Sequence, residues 1–122
     1  MNSSSNKKFG SKKEFEFFLR KSEEPIVIVI NADWCGSCQI MIPIIEKLAN
    51  EFAGKIRFVN VENEDSENLE LKFNSDSLPK ILLFNQGRME DQLFGTASFE
   101  FLEKKMKALL EDSSKSNMYN LK

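Results

Sequence analysis

Histidine is absent from this chain of 122 residues. Its absence removes imidazole as a general base, as the partner of a nucleophilic serine or cysteine, and as a metal ligand. Hydrolases that pair a serine or a cysteine with histidine are therefore excluded.

Long hydrophobic runs are missing too. No apolar stretch approaches the roughly 18 residues of a membrane span, and the opening segment Met1–Lys8 leads into no apolar part of a signal peptide. We therefore expect a soluble, unexported protein of the cytoplasm.

Neither sign of charge dominates. Seventeen Lys and Arg residues stand against 19 Asp and Glu residues, for a net charge of −2 and a pI near 5.3. Such a balance gives no electrostatic reason to bind nucleic acid or an acidic membrane, so neither is expected as a partner.

The size of the chain allows one domain. With 41% hydrophobic and 30% charged residues, the chain has the composition of a globular protein and should fold unaided, and we expect a monomer. We assign residues 11–110 to the domain, residues 1–10 to a flexible N-terminal arm and residues 111–122 to a polar, disordered tail.

Residues that interrupt helices and strands are few. The chain has three prolines and five glycines, and nearly all of them lie between segments with a helical or strand-like hydrophobic pattern. Ser11 and Glu14 have the spacing of a capping box before a helix over about residues 11–21, with Phe15, Phe18 and Leu19 in the core. The run Ile26–Ile30 is β-branched throughout, which is typical of a central strand covered on both faces.

A second helix is predicted from Cys35 to Gly54, divided by a bend near residues 39–43 because Pro43 removes a backbone donor. The remaining pattern predicts, in order, a strand over 55–61, a short helix over 66–73, a hairpin of 81–84 and 88–94 around Asn85-Gln86-Gly87, and a helix capped by Ser98. This order predicts an α/β sandwich with a mixed sheet. The acidic stretch 62–70 is interpreted as a solvated face.

The only cysteines, Cys35 and Cys38, follow the buried strand and open the second helix. Unpaired N–H groups and the helix dipole favour a thiolate there, and in such motifs thiol pKa values fall from about 8.5 to roughly 3.5–7.5. The spacing places Cys38 one turn below Cys35, close enough to form a disulfide or to attack a mixed disulfide on Cys35. A zinc site would need two more ligands, and inert cysteines or a structural disulfide would explain the position less well.

The segment Ala32-Asp33-Trp34-Cys35-Gly36-Ser37-Cys38 resembles the active site of the thioredoxin family. The likeness covers about residues 11–110 and includes Pro43 as a kink proline, Ser77-Leu78-Pro79-Lys80 as a cis-proline loop, the turn at 85–87 and the pair Phe94-Gly95. It implies a thioredoxin fold, that is, a three-layer α/β/α sandwich with a central mixed sheet of four to five strands.

The resemblance implies a thiol–disulfide oxidoreductase that reduces protein disulfides and needs no cofactor or metal. Cys35 would attack the substrate disulfide, Cys38 would resolve the mixed disulfide, and an electron donor resembling thioredoxin reductase would restore the dithiol. Leu78 would pair through its backbone with an extended peptide. The substrate-binding residues implied are Trp34, Gly36, Ser37, Leu78, Pro79 and Gly95.

The sequence also departs from the family. Val29 occupies the place of the family's buried acid, and Phe58 is aligned with the lysine that often accompanies it. We therefore expect a drier site and slower deprotonation of Cys38, with water or Asp33 as the base.

Three smaller departures concern the turn, the loop and the first strand. Ser37 replaces a common proline and offers the Cys35 sulfur a hydroxyl. Lys80 is interpreted as a solvated surface lysine, the alternative being a cation that favours the Cys35 thiolate. Lys7-Lys8-Phe9 is a weak version of the family's first edge strand, which we expect to be short or missing.

Two other functions remain open from sequence. One is an oxidase or isomerase of an oxidising compartment, whose redox potential would distinguish it. The other is a binding module without catalysis, which the missing acid and lysine favour and the intact cysteine pair opposes.

Overall fold

The computed structural model describes the backbone of residues 4–120 and the side chains of residues 4–112. Its elements follow the chain in this order: β1 (Ser4–Asn6), α1 (Lys12–Lys21), β2 (Ile26–Asn31), α2 (Gly36–Glu51), β3 (Arg57–Glu62), a 3₁₀ helix (Asp65–Leu69), β4 (Lys80–Asn85), β5 (Arg88–Phe94) and α3 (Phe99–Asn120). Within the described residues, no helix has the length and apolar character needed to cross a membrane.

The five strands form one mixed sheet in the order β1-β3-β2-β4-β5. The β1, β3 and β2 strands are parallel, whereas β4 runs antiparallel to both β2 and β5. Residues 26–30 of β2 are all buried, and this strand occupies the middle of the sheet. The prediction of a central, doubly covered strand is confirmed.

Two hydrophobic layers enclose the sheet. On one face, Phe15 and Leu19 of α1 pack in one cluster with every second residue of β2, namely Ile26, Ile28 and Ile30. On the other face, α2 and α3 pack against the intervening β2 residues Val27 and Val29. The three-layer α/β/α sandwich with a mixed sheet is therefore confirmed, and the alternation of side chains along β2 explains how one strand serves both layers.

The predicted caps and hairpin are present. Ser11 Oγ accepts the Glu14 N–H at 3.1 Å, and Ser98 Oγ accepts the Phe101 N–H at 3.1 Å. The hairpin turns through Gln86 and Gly87, whose φ angles of 52° and 82° are those of a type I′ turn, in which glycine is favoured.

Two predicted helices differ from the structure. The α2 helix is one continuous element with Pro43 inside it, rather than two segments. Burial of Met41, Ile45 and Leu48 on either side of Pro43 offsets the lost hydrogen bond, since packing supplies most helical stability. The predicted short helix over 66–73 is a 3₁₀ helix that ends at Leu69.

The C-terminal segment also differs, because α3 continues to Asn120 where a disordered tail from residue 111 is predicted. No glycine or proline follows Gly95, so the sequence contains no strong helix terminator there. Residues 121–122 lie outside the described residues.

The N-terminal arm is tied to the sheet. Its strand is Ser4–Asn6, three residues long, rather than the predicted weak strand at Lys7-Lys8-Phe9. Phe9 is 3% exposed and its ring lies 5.1 Å from that of Phe15 and 5.2 Å from that of Phe18. Strand pairing and a buried aromatic anchor therefore attach residues 4–9 to the domain, whereas a flexible arm is expected from the sequence.

Candidate active site

The two cysteines lie where β2 ends and α2 begins. Cys35 is the N-cap residue of α2, with extended backbone angles, and its Sγ accepts the backbone N–H of Cys38 at 3.1 Å. The two sulfur atoms are at disulfide distance, with Cα atoms 5.3 Å apart. The spacing argument from sequence is thereby confirmed: one helical turn brings both sulfurs together.

The capping position explains why Cys35 is suited to act as a nucleophile. A helix N-terminus presents unpaired N–H groups and the positive end of the dipole, and here one such N–H points at the sulfur itself. Hydrogen bonds to a charged form favour it, so this contact stabilises a Cys35 thiolate in the reduced protein.

The two cysteines differ in exposure. Cys35 is 7% exposed, Cys38 only 1%, and Trp34 beside them is 74% exposed. Cys35 is therefore the more accessible residue of the two, although both are buried.

Two hydrogen bonds connect the predicted residues Ser37 and Gly95 to the proline loop. Ser37 Oγ donates to the carbonyl oxygen of Leu78 at 2.8 Å, and the Gly95 N–H donates to the carbonyl oxygen of Pro79 at 3.0 Å. The Leu78-Pro79 peptide bond is cis, as the resemblance implies. Ser37, Leu78, Pro79 and Gly95 are thus brought together beside Cys35, with which Leu78 shares a hydrophobic cluster.

The predicted substrate-binding residues differ widely in exposure. Leu78 is 9% exposed and Pro79 is buried, while Gly36 is exposed and Gly95 half-buried. Trp34 therefore supplies most of the apolar area among the predicted residues. Sequence reasoning missed two further exposed side chains on α2, Ile40 at 64% and Ile42 at 40% exposure. Their signal was an apolar residue outside the buried helical stripe.

A cavity of about 250 Å³, lined by polar and apolar residues, adjoins Cys38. Besides Cys38 and Val29, it is lined by the polar side chains of Asn31, Asp33, Asn60 and Glu62, among others. A site of this volume and polarity admits water, since one water molecule takes about 30 Å³. Polar groups from β3 and the β2–α2 turn line the space beside Val29, so water can enter there, and the expectation of a site drier than in relatives with a buried acid stays a prediction.

The alignment of Phe58 with the family's lysine also needs correction. The register of β2 and β3 pairs Val29 with Asn60, whereas Phe58 pairs with Val27 and is buried in the core. Asn60 is therefore the residue beside Val29, and its amide nitrogen donates to Ser4 Oγ at 3.2 Å. The departure from the family stands, but the neighbour of Val29 is a neutral amide.

Glu62, the first residue of the acidic stretch, is exposed, in agreement with the interpretation of a solvated face, and it also borders the active site. Glu62, at the carboxyl end of β3, lines the cavity beside Cys38 together with Asp33. Partial burial raises the pKa of the Glu62 carboxyl, and the negative charges of Asp33, Asp65 and Glu64 raise it further. Because β2 and β3 are parallel, their carboxyl ends meet at one edge of the sheet, and that rule would have placed Glu62 near the cysteines.

Lys80 is buried rather than solvated. It is 6% exposed, and its Nζ lies 4.9 Å from the centre of the Phe73 ring. The cation faces an aromatic ring that lies against the same hydrophobic cluster as Cys35, so the interpretation as a surface lysine is wrong.

Residues 6–108 match the thioredoxin family. The sequence is 31% identical to thioredoxin M4, chloroplastic, of Arabidopsis thaliana over 100 residues, which are 82% of this chain and 52% of that protein. It is 35% identical to thioredoxin M-type, chloroplastic, of Pisum sativum over 85 residues, 70% of this chain and 49% of that protein.

A bacterial relative is similar as well. The sequence is 32% identical to thioredoxin C-2 of Corynebacterium nephridii over 83 residues, which are 68% of this chain and 77% of that protein. Against the two plant proteins, by contrast, the aligned part spans only about half of the relative's length.

Proposed function

The chain belongs to the thioredoxin family, and we propose that it reduces disulfide bonds in proteins through a dithiol–disulfide cycle of Cys35 and Cys38. The family and the cysteine pair support thiol–disulfide oxidoreductase chemistry. The observation that carries the proposal is the position of Cys35 as the cap of α2, with its sulfur accepting the Cys38 N–H and lying at disulfide distance from the second sulfur.

The cycle consists of two exchanges. In the first, the Cys35 thiolate attacks one sulfur of the substrate disulfide, the substrate S–S bond breaks, and one substrate thiolate leaves and is protonated by solvent. In the second, Cys38 loses its proton and attacks the Cys35 sulfur, expelling the other substrate thiolate. Two electrons have then passed to the substrate, and the protein holds the Cys35–Cys38 disulfide.

The proton of Cys38 must leave before the second exchange. Cys38 is buried and Val29 cannot accept a proton, so the route runs through the cavity beside Cys38, where Asp33 and Glu62 lie. Water in this cavity links the thiol to a carboxylate. We propose that resolution is slower than in relatives that carry an acid at the position of Val29, because transfer through water replaces a directly placed base.

Substrate recognition depends on the loop before β4. We propose that the Leu78 backbone pairs with an extended segment of the substrate and that Trp34 covers the segment's apolar side chains. Main-chain pairing carries little sequence information, so the substrates are disulfide-containing proteins as a class.

The electron donor in this proposal is an enzyme resembling thioredoxin reductase, and the compartment is the cytoplasm. The chain has two cysteines, both in the motif, and this sparing use of cysteine supports a protein that acts in a reducing pool. The two plant relatives carry the word chloroplastic in their names, so the location of the protein in the cell should be measured as well as its activity.

An equilibrium redox titration tests the proposal. The protein is equilibrated in thiol–disulfide buffers and followed by the fluorescence of Trp34, the single tryptophan, with Cys35→Ser as the control. A reversible two-electron transition near about −270 mV, lost in the control, supports a reductant. A value near about −180 to −120 mV indicates an oxidase or isomerase, and no transition dependent on Cys35 leaves a binding module.

A further inference from the structure

The Ser37 hydroxyl lies between two acceptors. Its oxygen is 2.8 Å from the carbonyl oxygen of Leu78, to which it donates, and 3.2 Å from the sulfur of Cys35. Ser37 and Leu78 are 41 residues apart in sequence, so the fold itself brings the reactive turn against the proline loop. A hydroxyl has one proton, and it cannot donate fully to both acceptors.

In the disulfide state, the carbonyl holds that proton. Cys35 has no S–H in a disulfide, and a disulfide sulfur is a weak acceptor without charge. The Leu78 carbonyl is a strong acceptor at a good distance. Ser37 therefore occupies one of the two lone pairs of the backbone acceptor that a substrate strand would use, and this weakens the carbonyl as an acceptor for a second donor.

In the reduced state, the balance reverses. A thiolate on Cys35 is a charged acceptor, and charge-assisted hydrogen bonds are roughly twice as strong as neutral ones. The hydroxyl proton reaches the sulfur by rotation about the Cβ–Oγ bond alone, without displacement of either residue. The Leu78 carbonyl then loses its intramolecular donor.

We propose, on the basis of the reductase function, that Ser37 is a positioning residue that couples the redox state of Cys35 to substrate binding. With Cys35 as a thiolate, Ser37 donates to the sulfur, and the Leu78 carbonyl accepts an N–H of an extended substrate without a competing donor. With the Cys35–Cys38 disulfide formed, Ser37 donates to the carbonyl and competes with the bound product.

The consequence is an ordered cycle. The reduced protein meets a disulfide substrate with its backbone acceptor free and its nucleophile stabilised by the same hydroxyl. Once Cys35 has formed the mixed disulfide, its sulfur has no charge, and the hydroxyl returns to Leu78 while the substrate is still held covalently. The backbone contact is therefore already weakened when Cys38 expels the product in the second exchange. Binding and release thereby follow the direction of electron flow, with no covalent change beyond the two disulfide exchanges.

Carbon-detected NMR tests the proposal directly. Pro79 has no N–H, but a correlation between the Leu78 carbonyl carbon and the Pro79 nitrogen reports the hydrogen bonding of this carbonyl. In the wild type, the carbonyl signal is expected to move between the oxidised protein and the protein reduced with dithiothreitol. In Ser37→Ala, at least half of that movement is expected to be lost, whereas Ser37→Thr, which keeps the hydroxyl, retains it.

A second readout concerns Cys35. The rate of alkylation by iodoacetamide rises with pH as the thiolate forms, and its midpoint is expected to move up by about one pH unit in Ser37→Ala and to stay near the wild-type value in Ser37→Thr. Ser77→Ala, which removes a hydroxyl from the residue before Leu78 and leaves Ser37 in place, serves as the matched control. Its carbonyl signal should remain redox-dependent.

The possible outcomes distinguish the change of partner by Ser37, here called the switch, from the reductase function. If the wild type reduces insulin in a manner dependent on Cys35 but its Leu78 carbonyl signal is the same in both redox states, or moves equally in Ser37→Ala, the switch is overturned and the reductase function stands. If insulin is not reduced and the redox titration is flat, the function fails. If insulin is not reduced but the carbonyl signal moves with dithiothreitol in the wild type and not in Ser37→Ala, the function fails and the change of partner by Ser37 stands.

Discussion

Val29 and Asn60 are register partners on the neighbouring parallel strands β2 and β3, and both line the cavity beside Cys38. The pair combines an aliphatic side chain with a neutral amide, so neither residue can accept the proton of Cys38. Asp33 and Glu62, which line the same cavity, lie on the β2–α2 turn and at the end of β3. The position of Val29 is therefore the place where an added carboxylate would change the chemistry of Cys38.

Replacing Val29 by aspartate should accelerate resolution. A carboxylate at this position lies on the cavity beside Cys38 and accepts its proton directly, and we expect a gain of at least about tenfold, below the usual contribution of a positioned base. The second phase of thionitrobenzoate release from Ellman's reagent, followed by stopped flow, measures this step. A stability loss of about 1–3 kcal/mol accompanies the buried polar group.

Val29→Asn is the control for that experiment, since asparagine matches aspartate in shape and cannot take the proton. Only the aspartate variant should be accelerated. Equal second-phase rates for the wild type and both variants would show that deprotonation of Cys38 does not limit resolution.

Removing the aromatic anchor should destabilise the whole domain. Phe9 is 3% exposed and contacts Phe15 and Phe18, so Phe9→Ala is expected to cost about 3–5 kcal/mol in the free energy of unfolding. Urea denaturation measures this. Phe17→Ala removes a phenylalanine of α1 that is 54% exposed and should cost less than about 1 kcal/mol. Similar losses for the two variants would contradict the anchor.

Gly95 and Gly36 should respond to alanine in opposite directions. Gly95 has a φ of +77°, where alanine is strained by about 1–2 kcal/mol, although no atom lies within 4 Å of an added Cβ. Gly36 begins α2 with open space around it and no positive φ, so Gly36→Ala should stabilise by about 0.5–1 kcal/mol. Thermal unfolding of the oxidised proteins measures both. Two changes of the same sign would be inconsistent with these backbone conformations.

The pH dependence of stability should contain a contribution from Glu51. The pKa of its carboxyl is raised above the ordinary value of 4.5, first by a hydrogen bond with the Glu103 side chain and then by desolvation and the charge of Glu103. Because the folded pKa is raised, the protonated form favours folding. The contribution is fully present below about pH 4.5 and is lost as the pH rises through the folded pKa.

Glu51→Gln keeps a donor toward Glu103 at every pH. The variant should therefore unfold at a higher temperature than the wild type at pH 7, with the difference shrinking as the pH falls toward 4.5. Glu16→Gln, on the exposed surface of α1, removes the same charge elsewhere and controls for the net charge. A difference in unfolding temperature that does not depend on pH would show that the titration of Glu51 does not contribute to stability.

Much of the fold is local and therefore readable from sequence. The β-branched run of β2 identifies the central strand, Ser11 and Ser98 identify two helix starts, and Gly87 identifies the hairpin turn, because each depends on a few adjacent residues. The strand-to-helix position of Cys35 and Cys38 is readable for the same reason.

The rest depends on contacts between distant segments. The register that places Asn60 beside Val29 follows from strand pairing, and the bond from Ser37 to Leu78 spans 41 residues. Burial of Lys80 follows from the position of Phe73 over its side chain. No pattern within a single window of sequence contains these relationships. Continuity of α2 through Pro43 is likewise a result of packing that overrides a local preference.

The bond from the Cys38 amide to the Cys35 sulfur has a role in both architecture and chemistry. It closes the first turn of α2, so the strength of that cap varies with the charge on the sulfur. The hydrogen bond that caps the helix is strongest when Cys35 is a thiolate and weaker when Cys35 is in a disulfide. Exchange of the Cys38 amide proton with deuterium should therefore slow on reduction. The opening of the first helical turn would then depend on the redox state of the cysteine pair.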